Sequence, residues 1–552
     1  MRKPIKVIDI ELSRPLTTIE GMEGYGLLQA LVRLHGTPIG YVKIPVTHNI
    51  CTPDVIGTAI VKKLSHAIIR HLLCDGLMTL PRPGGLQIND LLSTPHPVSS
   101  GPLPLITVAV CTRDRASDLA RCLDSLHRLD YPALDILVVD NAPASDATER
   151  LVRTTFANVR YVREPRPGLD WARNRAIVEA RGEIVAYTDD DVVVDSGWLK
   201  AVGRVFVESP EVMVVTGLVV PYELETEAQI LFEQSGGFGR GFERKWCRVD
   251  CENGERAATR HGSTGKYGTG ANMAYRRSLF NLIGGFDPAL DVGTVTNGGG
   301  DLEMFFRVLK RGYTLVYEPG AMVRHCHRRD YAQLRDQLAT WGTSFSAYIV
   351  QSIMNYPDER ATFIRLGFRE LWLLVRSLLI SYACPSRFPR DIILARLRAF
   401  FGGLHSYQKA QRTADKIAQD YGAISQMVTP RKIVSQNPRL RRQDATAKRA
   451  VDLGQPLCAL ADVADYPVVR VFVTKDGRPL GSVDIENHHQ SVGVTRLCEA
   501  IADRFGLKLL EQSHNLSMDS LQASMLAAMT KGCMANDYRM LNVLEGVASC
   551  LK

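Results

Sequence analysis

At 552 residues the chain exceeds what one hydrophobic core ordinarily supports, so two to four domains are expected. Its 45% hydrophobic and 23% charged residues exclude an intrinsically disordered chain. The formal charge of +8 suits anionic partners, whether nucleotide diphosphates, anionic lipid headgroups or nucleic acid, without choosing among them.

The opening "MRKPIKVIDIELSRPL" lacks the apolar centre of a signal peptide, and no apolar run approaches the ~20 residues that span a bilayer. The 12 cysteines are scattered singly, with no CxxC pair. Reduced thiols and a cytoplasmic location are therefore expected, with peripheral contact on the inner membrane face left open. Residues 1–93 read as a small α+β module. In it "GTPIGYVKI" (36–44) matches "GRPLGSVDI" (477–485), and the same offset aligns His48 with His489, Ala59 with Ala500 and Ile60 with Ile501. Each copy predicts a strand, a Gly-Pro turn, a second strand and a helix. The chain ends are thus expected to be duplicated modules without a catalytic constellation, their paired histidines structural. "TPHPVSSGPLP" (94–104) reads as a linker.

From residue 105 to 330, buried-strand patterns alternate with helical ones: "LITVAVC", "LARCLDSLHRL", "DILVVDNA", "NVRYVRE", "GLDWARNRAIVEARG" and "EIVAYTDDD". Such βαβα alternation predicts an α/β fold with a mostly parallel sheet covered on both faces. Ligands on such sheets collect at the carboxyl ends of strands, where Thr112, Asp140 and Asp189 fall. Asp189, Asp190 and Asp191 repel one another, so either a bound cation or a solvated turn must make the run tolerable. Residues 331–420 turn helical. Within 361–383, Arg365, Arg369 and Arg376 share one face of an apolar helix, which suits a membrane interface or packing on the preceding domain. Residues 421–455 read as a basic linker, and 456–552 as the second module.

The five segments "VAVCTRDR", "ILVVDNAPASDAT", "GLDWARNRAIVEARGEIVAYTDDD", "GTGANMAYRRSLFNLIGGFDPAL" and "GGGDLEMFFRVLKRGYTLVYEPGAMVRHCHR" occur in the order found in inverting family-two glycosyltransferases, which residues 105–329 resemble. The resemblance implies a GT-A, Rossmann-like nucleotide-diphospho-sugar transferase fold and a hexosyltransferase-like activity, as in polysaccharide biosynthesis. It implies a Mn²⁺ or Mg²⁺ ion held by the DxD pair Asp189 and Asp191, with Asp190 a neighbour or ribose contact. On this reading the cation makes the acidic run tolerable, and Asp191→Ala would raise the melting temperature of the metal-free protein. Asp140 would hold the nucleoside, or else cap the following helix. Thr112 and Arg113 would form a base and phosphate loop, and Arg173 would contact the diphosphate unless it is an ordinary surface arginine.

Asp301 matches the catalytic base, though it could instead cap its helix. The family's acidic pair is here broken by Gly300, which removes any role of the missing glutamate. His325 and His327 should share one strand face, with His325 completing the metal site or both being structural. The glycine-rich 235–245 segment lacks a P-loop's terminal Gly-Lys-Ser/Thr and is expected to form a mobile active-site loop. UDP is the expected nucleotide, with dTDP and GDP open, and the acceptor is a glycan, a lipid-linked glycan or a protein. The end modules would position the acceptor or recruit a protein. The competing readings are an inactive GT-A scaffold and a nucleotidyltransferase, whose triphosphate loop "VCTRDRASDL" does not resemble. Nucleic acid is not expected, since the positive charge is not gathered beside aromatic platforms.

Overall fold

A computed structural model describes residues 2–78, 102–249, 257–383, 388–422, 446–475, 477–514 and 518–531. The chain divides into two compact units, one of residues 102–434 and one uniting 1–101 with 435–552. Most of the 94–104 stretch, and 423–445 of the basic stretch, lie outside the described residues.

The larger unit is built on a nine-stranded mixed sheet. Its first half is β4 (Ile106–Thr112), β5 (Leu134–Asn141), β6 (Arg160–Glu164) and β7 (Ile184–Asp189), all parallel, in the order β7-β4-β5-β6. β4 is buried along its whole length and β7 along nearly all of it, which is why both read as unbroken apolar runs. The chain leaves β4 toward β5 on one side and later returns to β7 on the other. That reversal opens a crevice at the carboxyl ends. Register places Thr112 opposite Asp140 and Cys111 opposite Asp189, so three predicted positions meet at one level of one edge.

The second half adds β9 (Val212–Pro221) and β12 (Thr314–His325), running in the same direction as β7. Reversed strands β11 (Asn272–Arg276), β10 (Lys245–Cys247) and β8 (Val192–Val194) interleave with them. Six of the nine strands thus share a direction, so the sheet is mixed with a parallel majority, as expected. β8 follows the acidic run directly and pairs antiparallel with the end of β12, His325 opposite Val192. The Cys326 amide then donates to the Asp191 carbonyl at 2.9 Å.

After residue 330 the described chain forms the helices Tyr331–Asn355, Arg360–Ala383, Arg390–Gly403 and Ser406–Tyr421.

In the smaller unit, β1 (Ile5–Glu11), β2 (Leu27–Leu34) and β3 (Thr37–Pro45) form one sheet. The strands β13 (Thr446–Asp452), β14 (Val468–Lys475) and β15 (Arg478–Glu486) form another. In both, the first pair is parallel and the second antiparallel, with a register shift at Val32/Arg33 and at Val473/Thr474. His48 and His489 both have left-handed backbones, with φ of 56° and 59°. The first helix, α1 (Pro53–Met78), lies in the same hydrophobic cluster as β2 and β3. One boundary differs from the sequence reading. β13 occupies 446–452, inside the stretch read as linker to residue 455, because a basic strand paired on one side only has no alternating apolar signature.

Candidate active site

The carboxyl edge of the parallel half carries Asp140, Asp189, Asp190 and Asp191, and Asp170 and Asp301 share a cavity with Asp189. A cavity of about 160 Å³ is lined by Asp170, Arg173, Asp189, Phe238, Gly270 and Asp301, among others. A larger cleft of about 470 Å³ lies at the amino end of β7, around Glu183 and Arg276, and gathers no such cluster. The small cavity is the candidate site.

Asp189, Asp190 and Asp191 do not rely on a cation alone. The Arg115 guanidinium donates to Asp190 at 2.6 Å and to Asp191 at 3.2 Å, Thr112 Oγ1 donates to Asp190 at 2.8 Å, and Arg328 stands 3.6 Å from Asp191. The expectation that the cation accounts for the whole run is corrected: the protein compensates two of the three charges. The two members of the DxD pair consequently differ. Desolvation, then Asp191, pushes the Asp189 carboxyl up to about 7. Burial would raise Asp191 too, but His325 when protonated and the guanidinium groups of Arg115 and Arg328 hold it below the usual carboxylate range. Burial also raises Asp190 to about 6.

β12 ends at His325, so His327 lies beyond the strand rather than on a shared strand face, yet the two rings meet. His325 Nε2 lies 3.3 Å from Asp191 Oδ1 and its Nδ1 lies 2.9 Å from His327 Nδ1, while His327 Nε2 lies 2.9 Å from Glu233. With one proton on each imidazole, a carboxylate at Glu233 accepts from His327 Nε2. His327 Nδ1 then accepts from His325 Nδ1, and the His325 Nε2 lone pair faces Asp191. A lone pair aimed at a carboxylate oxygen is favourable with a cation between them. Burial pushes His325 down to about 4, so the ring is neutral and able to ligate near neutral pH. Asp191 and His325 thus face each other as a pair, whereas among the described residues Asp189 does not form with them a group of three ligand atoms within 4.8 Å. Phe238, from the glycine-rich segment, packs against His325 with ring centroids 4.9 Å apart, so that segment contributes directly to the cavity wall.

Asp140 is fully buried. Tyr161 donates to its Oδ2 at 2.9 Å, while Oδ1 has no hydrogen-bond partner. Burial raises this carboxyl despite the Tyr161 bond. It does not cap the following helix, Ala147–Thr155, which Asp146 precedes. Arg113 is half exposed beside Asp114.

Arg173 is buried, not a surface residue. It donates at 2.9 Å to Asp170, which lies in the first turn of α4 (Leu169–Glu179), the helix that follows α2 (Ala116–His127) and α3 (Ala147–Thr155). Its guanidinium lies so close to Gly270 that a Cβ there would sit 2.4 Å from Nη2. Asp301 lies in the first turn of the helix Gly300–Lys310, whose N-cap is Gly299, so Asp301 is not the cap. Its Oδ2 accepts the Gly270 amide at 2.8 Å. A Cβ on Gly300 would sit 1.9 Å from Asp170 Oδ2. The carboxylate of Asp170 thus fills the space where the family's acidic pair would begin. Burial pushes Asp170 up to about 7 against the pull of Arg173.

Asp170, Arg115, Arg328 and Glu233 were not singled out from sequence. Arg115 and Arg328 stand within quoted motifs, but nothing in spacing marks Glu233.

Residues 107–283 match the family model described as glycosyl transferase family 2. A pre-mycofactocin glycosyltransferase of Mycobacterium tuberculosis is 27% identical over 55% of this chain and 61% of its own length. The chain thus spans about six-tenths of that curated relative. Polypeptide N-acetylgalactosaminyltransferase 5 of Caenorhabditis elegans is 27% identical over 41% of this chain and 38% of its own. A mannosyltransferase of Pyrobaculum calidifontis, solved in complex with GDP-Man and Mn²⁺, is 18% identical over 68% of this chain and 99% of its own, with a TM-score of 0.34.

Two predictions follow from the unequal carboxylates. A carboxyl raised from 3.8 to about 7 contributes stability that is present at low pH and lost as pH rises through about 7. The melting temperature of the metal-free protein should therefore fall between pH ~5 and pH ~8. Asp189→Asn should flatten part of that fall, whereas Asp191→Ala should lower stability by removing one carboxylate partner of Arg115 and that of Arg328, contrary to the sequence-based expectation. A scan of melting temperature against pH for the three proteins checks this. Separately, Glu233→Gln can donate to His327 and reverse both tautomers, so Mn²⁺ affinity by calorimetry should fall by roughly 10–100-fold.

Proposed function

We propose that this chain, a family-two glycosyltransferase of GT-A type in its central segment, transfers a sugar from a nucleotide-diphosphate donor to an acceptor hydroxyl by single displacement with inversion. The reading rests on one observation above the others: a single cavity holds a carboxylate of the DxD pair, a buried arginine and a carboxylate at a helix start.

Asp140, with an unsatisfied buried oxygen, would accept a hydrogen bond from the base or ribose. Thr112 holds Asp190 in place, and Arg113 is available to the diphosphate from its half-exposed position. Asp189, Asp191 and His325 would hold Mn²⁺ or Mg²⁺, both of which favour oxygen-rich donor sets. Such an ion supplies Lewis-acid stabilisation of the charge that grows on the leaving diphosphate. Arg173, pinned by Asp170, adds a fixed positive charge on the same cavity. Asp301 is held by the Gly270 amide, which leaves its carboxylate positioned to take the acceptor proton. UDP is the nucleotide we assign, and the acceptor is a glycan, a lipid-linked glycan or a protein, positioned with help from the end modules.

A peripheral membrane contact belongs to the same reading. On the helix Arg360–Ala383, Ile364, Phe368, Trp372, Val375, Leu379 and Tyr382 form an exposed apolar line, with Phe368 68% and Trp372 59% exposed. The neighbouring exposed residues Arg365, Arg369 and Arg376 make an anionic lipid surface the complementary partner. No described helix is long and apolar enough to cross a membrane.

Two experiments test these assignments. Asp301→Asn keeps an acceptor for the Gly270 amide but loses basicity. Transfer should fall by roughly two to four orders of magnitude, with UDP and Mn²⁺ affinities unchanged. Transfer close to that of the parent removes Asp301 as the base, and absence of Mn²⁺-dependent UDP binding in the parent favours the inactive scaffold. For the membrane contact, Phe368→Glu with Trp372→Glu should abolish sedimentation with phosphatidylglycerol vesicles while sparing donor hydrolysis. Equal sedimentation of variant and parent would remove the helix from the contact.

A further inference from the structure

The smaller unit carries a second polar cluster that the transfer reaction does not use. His35 sits in the turn between β2 and β3, while His71 and Asp75 stand one helical turn apart on α1. Their side chains are 6%, 12% and 3% exposed. His35 Nδ1 lies 2.8 Å from Asp75 Oδ2, His71 Nε2 lies 3.2 Å from the same oxygen, and the two ring nitrogens are 3.3 Å apart. Three donor atoms thus form a nearly equilateral triangle.

Hydrogen bonds from both rings to Asp75 are compatible with these distances, and so is a shared cation, to which all three atoms would present lone pairs at one point. Ligands about 2.0–2.1 Å from a tetrahedral ion stand ~3.3 Å from one another, close to the observed edges. The backbone is also committed to this geometry. His35 has a left-handed φ of 54°, and its amide and that of Gly36 donate to the Glu11 carboxylate at 3.1 and 3.0 Å. The turn is therefore held from behind while its imidazole points at α1.

The duplicated module supplies a control within the same chain. At the offset that aligns His48 with His489, the counterparts of His35, His71 and Asp75 are Asp476, Gln512 and Leu516. The C-terminal copy keeps the strand order and the register shift without these ligands. The fold of the module does not require them.

We propose that His35, His71 and Asp75 bind a divalent transition-metal ion of the Zn²⁺ class, tying the β2–β3 turn to α1 and leaving a fourth position for water or another donor. Two imidazoles and one carboxylate favour Zn²⁺ or Co²⁺ over Mg²⁺, whereas the DxD set, richer in carboxylate, favours the harder ions. The two sites are therefore separable.

The test uses the full chain carrying Asp189→Asn and Asp191→Asn, stripped with a chelator and titrated with Co²⁺ and then Zn²⁺. One equivalent of Co²⁺ should bind with visible ligand-field absorption, be displaced by Zn²⁺ and raise the melting temperature. Adding His71→Ala should weaken Co²⁺ binding by more than the roughly 10–100-fold that loss of a supporting contact costs. Should that variant fail to melt cooperatively without metal, His71→Gln and His35→Asn replace it. Absence of Co²⁺ uptake in the parent background, or an unchanged spectrum and affinity in the folded histidine variants, overturns the proposal.

Discussion

The crowding of negative charge at the carboxyl ends of β4 and β7 is the constraint on which the site depends. Asp189, Asp190 and Asp191 are consecutive, and Asp170 and Asp301 face the same small cavity or its wall. At close range in a poorly solvated setting such charges repel strongly, so each must be neutralised, paired or protonated. The protein uses all three means. Arg115 spans Asp190 and Asp191, Arg173 clamps Asp170, and Asp189 is left with its carboxyl pushed up. The least compensated member is the one that opens on the cavity. An ion therefore has most to gain there.

The same constraint explains why a three-residue strand matters. β8 is too short to contribute much to the sheet, but its pairing with the end of β12 brings His325 to Asp191. The chain from Glu233 through His327 to His325 then sets which nitrogen carries the lone pair. Oriented outer partners of this kind raise ligand basicity and fix the ring. The site is thus assembled from β7, β12 and the α6 region (Glu227–Gln234, after α5, Trp198–Glu208), which lie far apart in sequence.

How much of this was legible varies by residue, and the reasons are physical. The parallel strands announce themselves because they are buried on both faces, and Thr112, Asp140 and Asp189 are legible as strand-end residues. Arg113 is the arginine the strand-end motif brings forward, but Arg115 is the one that reaches Asp190 and Asp191. The reason lies at Asp114, whose left-handed φ of 54° turns the chain so that the second arginine, not the first, reaches the carboxylates. A backbone reversal at a non-glycine residue leaves little trace in sequence. Glu233 was invisible because its role depends on a tertiary contact with His327. The two Gly-Pro turns each join a pair of antiparallel strands, while β13 leaves little trace in sequence because its basic, half-exposed residues resemble a solvated tether.

The departure at Gly300 has a structural logic that the sequence alone could not supply. With an acidic side chain there, the Asp170 carboxylate would have no room, since even a Cβ would stand 1.9 Å from its Oδ2. Conversely, glycine at 300 lets α4 deliver a carboxylate to that place, and Asp170 arrives already paired with Arg173. Charge is thus moved from the start of one helix to the first turn of another, and an arginine is drawn into the cavity with it. Gly270 completes the arrangement: it leaves space for the guanidinium, and its amide holds Asp301. Two glycines and an i,i+3 ion pair therefore act as one unit. A side chain at either glycine would displace Asp170 or Arg173 and, through the Gly270 amide, alter the setting of Asp301.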